Sequence, residues 1–280
     1  MPPTQPWMPD WRKMMDEAPE IELAPGKGWV YLIADSHLGD VLAPTGQFFQ
    51  MLESLPNARM VVFLGDLFKV WLAVPKYWDR HMREILAGFE NLRAAGVSIL
   101  FVAGNREFLL PRGPEEAARQ RLPFDHIVHG ACTLRWGSRR WGMTHGDVVN
   151  RDDHRHLKWR RISHSRVFET IFRLMPGWLA RSIANRLERT MAHTNMDIKV
   201  QYPIDEIRAF AQEVMGDLDG FFVGHFHRDE VISLPRGKGN LRIVPDWHSQ
   251  KTVLRLEQSG KITRLDFNPH HSSQTSAASQ

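Results

Sequence analysis

The 280-residue chain holds a single cysteine, Cys132, so no internal disulfide can form and a reducing compartment suits it. Long apolar runs are missing as well: no stretch approaches the roughly eighteen residues that a membrane-spanning helix needs. The N-terminus has no basic start, apolar block and small-residue cleavage site, which predicts a protein that is not exported. No fixed-period repeat is visible, and this excludes a solenoid or a propeller.

What is present is ordinary in amount and uneven in placement. With 42% hydrophobic and 24% charged residues the chain can bury a substantial core, and its length suits one large domain with an insertion. The formal net charge is only +4, yet residues 151–190 carry ten Lys or Arg against four acids. That excess of six exceeds the excess of the whole chain, so the remainder is slightly acidic in sum. Within the same segment Phe168, Ile171, Phe172 and Met175 keep helical spacing, Pro176-Gly177 interrupts, and Leu179, Ile183 and Leu187 resume it, which predicts two short amphipathic helices.

Outside that segment the pattern is of strands alternating with helices. Apolar runs over Trp29–Ala34, Met60–Leu64, Val97–Val102, Arg139–Met143 and Gly220–Val223 read as buried strands, with helices near Gly46–Leu55, Tyr77–Ala95 and Ile207–Met215. This is an α/β fold. Leu241–Val244, Thr252–Glu257 and Lys261–Phe267, the last two around Ser259-Gly260, alternate like antiparallel strands. Met1 to Lys27 is proline-rich and reads as a peripheral extension, in which Trp7, Trp11, Met14 and Met15 fall at helical spacing, either as a helix packed on the domain or as a surface touching lipid headgroups. The expected division is therefore an extension over 1–27, a core over 28–150 plus 205–268, an insertion over 151–204 and a disordered tail over 269–280.

Five short polar motifs follow the strand-like runs: Asp35-Ser36-His37, Gly65-Asp66, Gly104-Asn105-Arg106-Glu107, His145-Gly146-Asp147 and Gly224-His225-Phe226-His227. Alone, a Gly-Asp pair is a turn and a His-x-His is chance; His154-Arg155-His156 is such a case. Order changes the reading, because in open α/β sheets side chains distant in sequence converge beyond the carboxyl ends of the strands. Asp35, His37, Asp66, Asn105, His145, His225 and His227 supply carboxylate, amide and imidazole but no thiolate, which suits Mn²⁺ first and Fe²⁺ or Zn²⁺ next. Seven ligands are too many for one such ion and fit two that share a carboxylate, an arrangement that activates water for displacement at phosphorus.

Arg106 narrows the leaving group. A poor alcohol leaving group needs a proton donor, and a guanidinium that stays charged cannot be one. It can pair with phosphate oxygens instead, and a departing phosphate whose last pKa is about 6 needs no proton. The Asn105-Arg106 pair therefore favours cleavage within a pyrophosphate. The basic insert reads either as a helical hairpin packed on the core with its arginines in water, or as a lid that holds acyl chains at about 0.8 kcal/mol per buried CH₂ and meets anionic headgroups. Nucleic acid is disfavoured, since the arginines lack the spaced aromatics of a stacking platform.

Taken together, Ala34-Asp35-Ser36-His37-Leu38, Leu64-Gly65-Asp66-Leu67-Phe68, Gly104 through Leu110, His145-Gly146-Asp147 and Gly224-His225-Phe226-His227 resemble the calcineurin-like metallophosphoesterases. Within them Asn105-Arg106, Arg151-Asp152-Asp153, Leu174-Met175-Pro176, Arg181-Ser182-Ile183-Ala184 and Trp247-His248 are similar to the UDP-2,3-diacylglucosamine hydrolases of bacterial lipid A synthesis, over about Val30 to Leu256. The resemblance implies a metallophosphoesterase sandwich of two mixed sheets flanked by helices, with a helical cap insertion. It implies that Asp35, His37, Asp66 and His227 hold one ion and that Asp66, Asn105, His145 and His225 hold the other, with Asp66, Asn105, Arg106 and His145 at the chemistry. Arg106 and Asp153 are then expected on the sugar phosphate, His156 where a phosphate-contacting Tyr is usual, Lys199 as the only nearby candidate for the cap's lysine contacts, and Phe168, Phe172 and Leu179 on the acyl chains. The expected partners are a lipid-linked nucleotide and a membrane surface, and the expected place is the cytoplasm, peripheral on the inner face of its membrane.

This sequence departs from the pattern at several points. Leu72-Ala73-Val74-Pro75 replaces an acidic cluster, Glu107 stands where Asp is usual, and the N-terminal extension is foreign to it. None of these touches a metal ligand. The competing readings are a metallophosphoesterase for another nucleotide-linked pyrophosphate or a phosphodiester, and a catalytically silent scaffold, against which the complete ligand set argues.

Overall fold

Val30, Leu32 and Ala34 point to one side of their strand and Tyr31 and Ile33 to the other, and all five are buried. Such a strand needs material on both faces, which is why it reads as a continuous apolar run. The computed structural model describes residues 5–39, 45–180, 182–184, 186, 202–235 and 239–267. Its strands are β1 (Glu20–Leu23), β2 (Trp29–Ile33), β3 (Ala58–Leu64), β4 (Trp71–Leu72), β5 (Ser98–Val102), β6 (Glu107–Phe108), β7 (His126–Val128), β8 (Ala131–Trp136), β9 (Arg139–Thr144), β10 (Gly220–Val223), β11 (Glu230–Ser233), β12 (Asn240–Ile243), β13 (Thr252–Leu256) and β14 (Ile262–Asp266). The helices are α1 (Trp11–Asp16), α2 (Thr45–Ser54), α3 (Arg80–Ala94), α4 (Pro114–Gln120), α5 (His154–Ser163), α6 (Arg166–Leu174), α7 (Ile204–Val214) and α8 (Trp247–Gln250), with helical backbone also at 177–180.

Two six-stranded sheets result, in the orders β14-β13-β2-β3-β5-β7 and β1-β8-β9-β10-β12-β11. In the first, β2, β3 and β5 run parallel, Leu32 opposite Val62 and Val62 opposite Leu100. In the second, β9, β10 and β12 run parallel. Both are mixed, because β13 runs antiparallel to β2 and β14 in one sheet, and β8 runs antiparallel to β9 and β11 to β12 in the other. The fold class expected from the sequence is the one observed.

Three layers of packing hold the sheets. Val30, Leu32, Val62, Leu64 and Val102 meet Cys132, Leu134, Trp136, Met143 and Phe222 between them. Outside the first sheet, Phe48, Met51 and Leu52 of α2 and Ile85, Leu86 and Phe89 of α3 cover Tyr31, Ile33, Val61 and Phe63. Outside the second, Ile207, Phe210, Ala211 and Val214 of α7 cover Phe221, Val223, Leu241 and Ile243. Each fully buried large side chain contributes about 1.5–3 kcal/mol from leaving water.

The structure differs from the sequence reading in three places. Leu241–Val244 was expected beside the C-terminal antiparallel strands, but β12 lies in the other sheet, parallel to β10, with Leu241 and Ile243 buried under α7 while Asn240 is exposed and Arg242 half-buried. Glu20–Leu23, within the segment read as a peripheral extension, is an edge strand parallel to β8, with Ile21 and Leu23 turned inward and Glu20 and Glu22 outward. The insert opens with α5, whose sequence has little apolar periodicity; Asp153 caps it by accepting from His156 N at 2.9 Å. α6, capped by Ser165, and the helical backbone from 177 agree with the expected spacing, while Leu187, Lys199 and the tail over 269–280 lie outside the described residues. Among the described residues no helix is long and apolar enough to cross a membrane.

Candidate metal centre

Every motif leaves the carboxyl end of a strand: Asp35 and His37 follow β2, Asp66 follows β3, Asn105 follows β5, His145 follows β9, and His225 and His227 follow β10. These strands are neighbours in their sheets, so five loops meet at one edge of the sandwich. Close approach depends on two glycines. Gly65 has φ +75°, and a Cβ there would run into the His145 ring, while one on Gly104 would run into the Asp66 carboxylate. The ligand candidates are themselves strained. Nine non-glycine residues hold positive φ among the described ones, and five of them are Asp35, His37, Asp66, His225 and His227. Backbone in this region costs of order 1 kcal/mol or more per residue and persists only where surroundings enforce it, which marks the loops as shaped for something other than stability.

The side chains gather tightly. Ligand atoms of Asp35, His37 and His227 lie within 4.8 Å of one another, as do those of Asp35, Asp66 and His145. His145 Nε2 stands 3.5 Å from Asp66 Oδ1, 3.1 Å from the Asn105 carboxamide and 3.2 Å from His225 Nδ1. His227 Nε2 is 3.6 Å from Asp35 Oδ1, and its ring stacks on His37 at 5.5 Å. All seven candidates for metal ligation are thus brought to one place.

Burial makes that place costly without a cation. Asp35 is fully buried, and desolvation pushes its carboxyl up to about 6 against the pull of His227 and His145. Desolvation likewise drives the His37 imidazole down to about 3. His145 loses to burial but gains more from the carboxylates of Asp66 and Asp35, which raise it to about 9. Asp35 Oδ1 and His37 Nε2 are buried with no hydrogen-bond partner. Buried charged groups persist when paired or bound to metal, and this set of carboxylates, imidazoles and one amide fits divalent ions of the Mn²⁺, Fe²⁺ and Zn²⁺ type.

Surrounding groups fix the orientation of the ligands. His145 Nδ1 meets the Leu64 carbonyl at 2.8 Å, and His225 N donates to Asp35 Oδ2 at 2.8 Å. Glu107, itself buried, accepts from Gly104 N at 2.8 Å and Asp66 N at 3.1 Å. Sequence reasoning missed Asp246, a fully buried carboxylate 3.6 Å from His227 Nδ1 that also accepts from Ser249 N and Gln250 Nε2. The signal was available, since Val244-Pro245-Asp246 closes β12 as the other motifs close their strands. A carboxylate behind a ligating histidine fixes its tautomer and ring direction. Asp147 was also left out of the candidate set. It is buried, accepts from Arg160 Nε at 2.6 Å and lies 3.5 Å from His156 Nε2.

The expected substrate-side residues divide. Arg106 is buried, its Nε 3.5 Å from Asp66 Oδ2. His156 reaches the centre, its ring 6.2 Å from that of His225. Asp153 uses Oδ1 to cap α5. Phe168 and Phe172 stack at 4.4 Å and pack with Leu72, Tyr77, Phe108 and Leu109, whereas Leu179 is half-buried and not part of that cluster.

The chain has relatives among known proteins. The chain is 29% identical over 247 residues to UDP-2,3-diacylglucosamine hydrolase of Neisseria gonorrhoeae, covering 83% of this chain and 95% of that protein. It is 29% identical over 233 residues to the enzyme of the same name from Sodalis glossinidius, covering 81% and 94%. It is also 27% identical over 247 residues to the enzyme of the same name from Proteus mirabilis, covering 84% and 97%. The resemblance carried by five motifs thus extends along most of the chain. No family model matches. Among solved structures, an archaeal phosphodiesterase is 13% identical at a TM-score of 0.42, covering 85% of this chain and 99% of that one.

Proposed function

We propose that this protein is a dinuclear-metal hydrolase that cleaves the pyrophosphate of UDP-2,3-diacylglucosamine to UMP and 2,3-diacylglucosamine 1-phosphate in lipid A synthesis. The observation that carries the reading is the convergence of seven candidate donors, four buried and three half-buried, five of them on left-handed backbone, at the carboxyl ends of five strands. Asp35, His37, Asp66 and His227 would hold one ion and Asp66, Asn105, His145 and His225 the other, Mn²⁺ being the best match to the donors. When bound, such ions lower the pKa of a water and offset the negative charge of the phosphoanhydride.

The chain's own groups account for the rest. Arg106, held beside Asp66, can pair with non-bridging phosphate oxygens as negative charge grows on them. It offers no proton, which suits a phosphate leaving group. Asp246 and Glu107 hold His227 and the Gly104–Asp66 loops still, so the site is organised before substrate arrives. Beside the centre, Leu72, Tyr77, Phe108, Leu109 and Phe172 make an apolar cluster suited to acyl chains. On the insert, Val167, Leu174 and Trp178 are 71%, 81% and 68% exposed, in a segment whose sequence carries an excess of arginine. Exposed apolar side chains in a basic segment suit the surface of an anionic membrane, where this substrate resides, and support a peripheral location on its cytoplasmic face.

A paired assay tests the substrate. The manganese-loaded protein is expected to hydrolyse UDP-2,3-diacylglucosamine at least about a hundredfold better in kcat/KM than UDP-N-acetylglucosamine, because acyl burial is realised only with the first. Equal values would remove the lipid assignment and leave hydrolysis of other nucleotide-linked pyrophosphates.

A further inference from the structure

The segment ahead of β1 lies outside the stretch that resembles the hydrolases, yet it is not loosely attached. Trp11 is fully buried, and its Nε1 donates to the Val148 carbonyl at 3.0 Å. The Arg151 guanidinium sits 3.3 Å from the centre of the Trp11 ring, and Phe210 of α7 meets the ring edge-on at 5.2 Å. Arg151 also donates to the Pro9 carbonyl at 3.2 Å and pairs with Glu213 at 3.4 Å. Farther along the insert, Lys158 lies 4.3 Å over the Trp7 ring and Arg161 donates to the Pro6 carbonyl. Proline has a fixed φ and no N–H, so this stretch presents carbonyl acceptors from a chain with little conformational freedom to lose.

Apart from those to Phe210 and Glu213 of α7, these contacts land on Val148–Arg151 and on the outer side of α5. The inner side of α5 faces the metal centre: His156 approaches His225 and Asp147, and Arg160, one turn on, donates to Asp147. Lys158 and Arg161, three residues apart, form the opposite face. Burial does little to fix this helix, since only Leu157 and Ser163 of its ten residues are buried. A basic helix with so narrow an apolar face needs another source of position.

We infer that residues 5–17 are a brace that sets α5 against the metal centre, with Trp11 as the positioning residue that fixes the Val148–Arg151 link and, through it, the reach of His156 and Arg160 toward the substrate's phosphates. What α5 presents to substrate rests on the hydrolase reading; the bracing itself does not. The brace fixes a specificity surface and leaves the ligand loops alone. Its loss therefore weakens a large substrate that spans centre and insert, and spares a small phosphodiester that needs only the centre.

The test uses the full-length protein carrying Lys158→Ala with Arg161→Gln, two exposed positions whose loss leaves the core untouched, and separately Trp11→Phe, which keeps the apolar ring and removes the N–H. Hydrogen exchange over residues 148–163 is expected to quicken by about fivefold or more, with α2 and α3 unchanged. For UDP-2,3-diacylglucosamine kcat/KM is expected to fall by about tenfold, mainly through KM, while bis(p-nitrophenyl) phosphate turnover stays within about twofold. The conservative pair Lys158→Arg with Arg161→Lys should restore both readouts toward wild type. Unchanged exchange over 148–163 would overturn the brace, as would quickened exchange with equal loss on both substrates. A wild type inactive on the nucleotide lipid would remove the hydrolase reading alone, and the exchange measurement would then decide the brace by itself.

Discussion

Glu107 shows how much of the centre depends on residues that ligate nothing. Its carboxyl accepts from the amides of Gly104 and Asp66, which tie the loop after β5 to the loop after β3. Removing an acceptor leaves buried N–H groups unpaired at about 1–3 kcal/mol each. Glu107→Ala is therefore expected to cost about 2–4 kcal/mol in denaturant unfolding, whereas Glu107→Gln, which keeps an oxygen in place, should cost under about 1 kcal/mol. Equal costs would show that these bonds are not what holds the loops. At this scale the sequence was legible for which residues gather at the centre, because each is a polar residue close behind an apolar strand. It was less legible for Asp246 and Asp147, whose partners, His227 and Arg160, become neighbours only through the fold.

Elements were legible in proportion to how completely they are buried. β2, β3, β5 and β10 could be read because both of their faces are covered, and α3 because Ile85, Leu86 and Phe89 make one stripe beginning after the Asp79 cap. α5 could not, for it is held by ion pairs and carbonyls from distant segments, which leave no periodic trace in a single sequence. α6 and the helical stretch after it form the exposed face proposed for the membrane. Each large apolar side chain that enters a bilayer contributes about 1.5–3 kcal/mol, so Leu174→Glu with Trp178→Glu is expected to weaken binding to phosphatidylglycerol vesicles by more than about tenfold without lowering thermal stability. Vesicle binding equal to wild type would detach this face from the membrane.

For the whole molecule, the order of strands in two sheets is what turns five scattered motifs into one site. The sequence indicated that convergence but not which sheet each strand would join, because alternation tells which face of a strand is buried and nothing of its neighbour, as β12 demonstrates. The buried donors also predict a link between metal and stability. A ligand that binds only the folded state at a hundredfold excess over its Kd adds about 2.7 kcal/mol, so manganese is expected to raise Tm by several degrees, chelator to reverse this, and Asp66→Ala to abolish it. A Tm indifferent to metal would mean that the donors do not act together. The most direct measurement is anomalous diffraction at the manganese edge from crystals of the metal-loaded protein. The account predicts two peaks about 3.5–4 Å apart on either side of Asp66, one reached by His37 and His227 and the other by Asn105, His145 and His225. A single peak, or peaks away from these side chains, would contradict it.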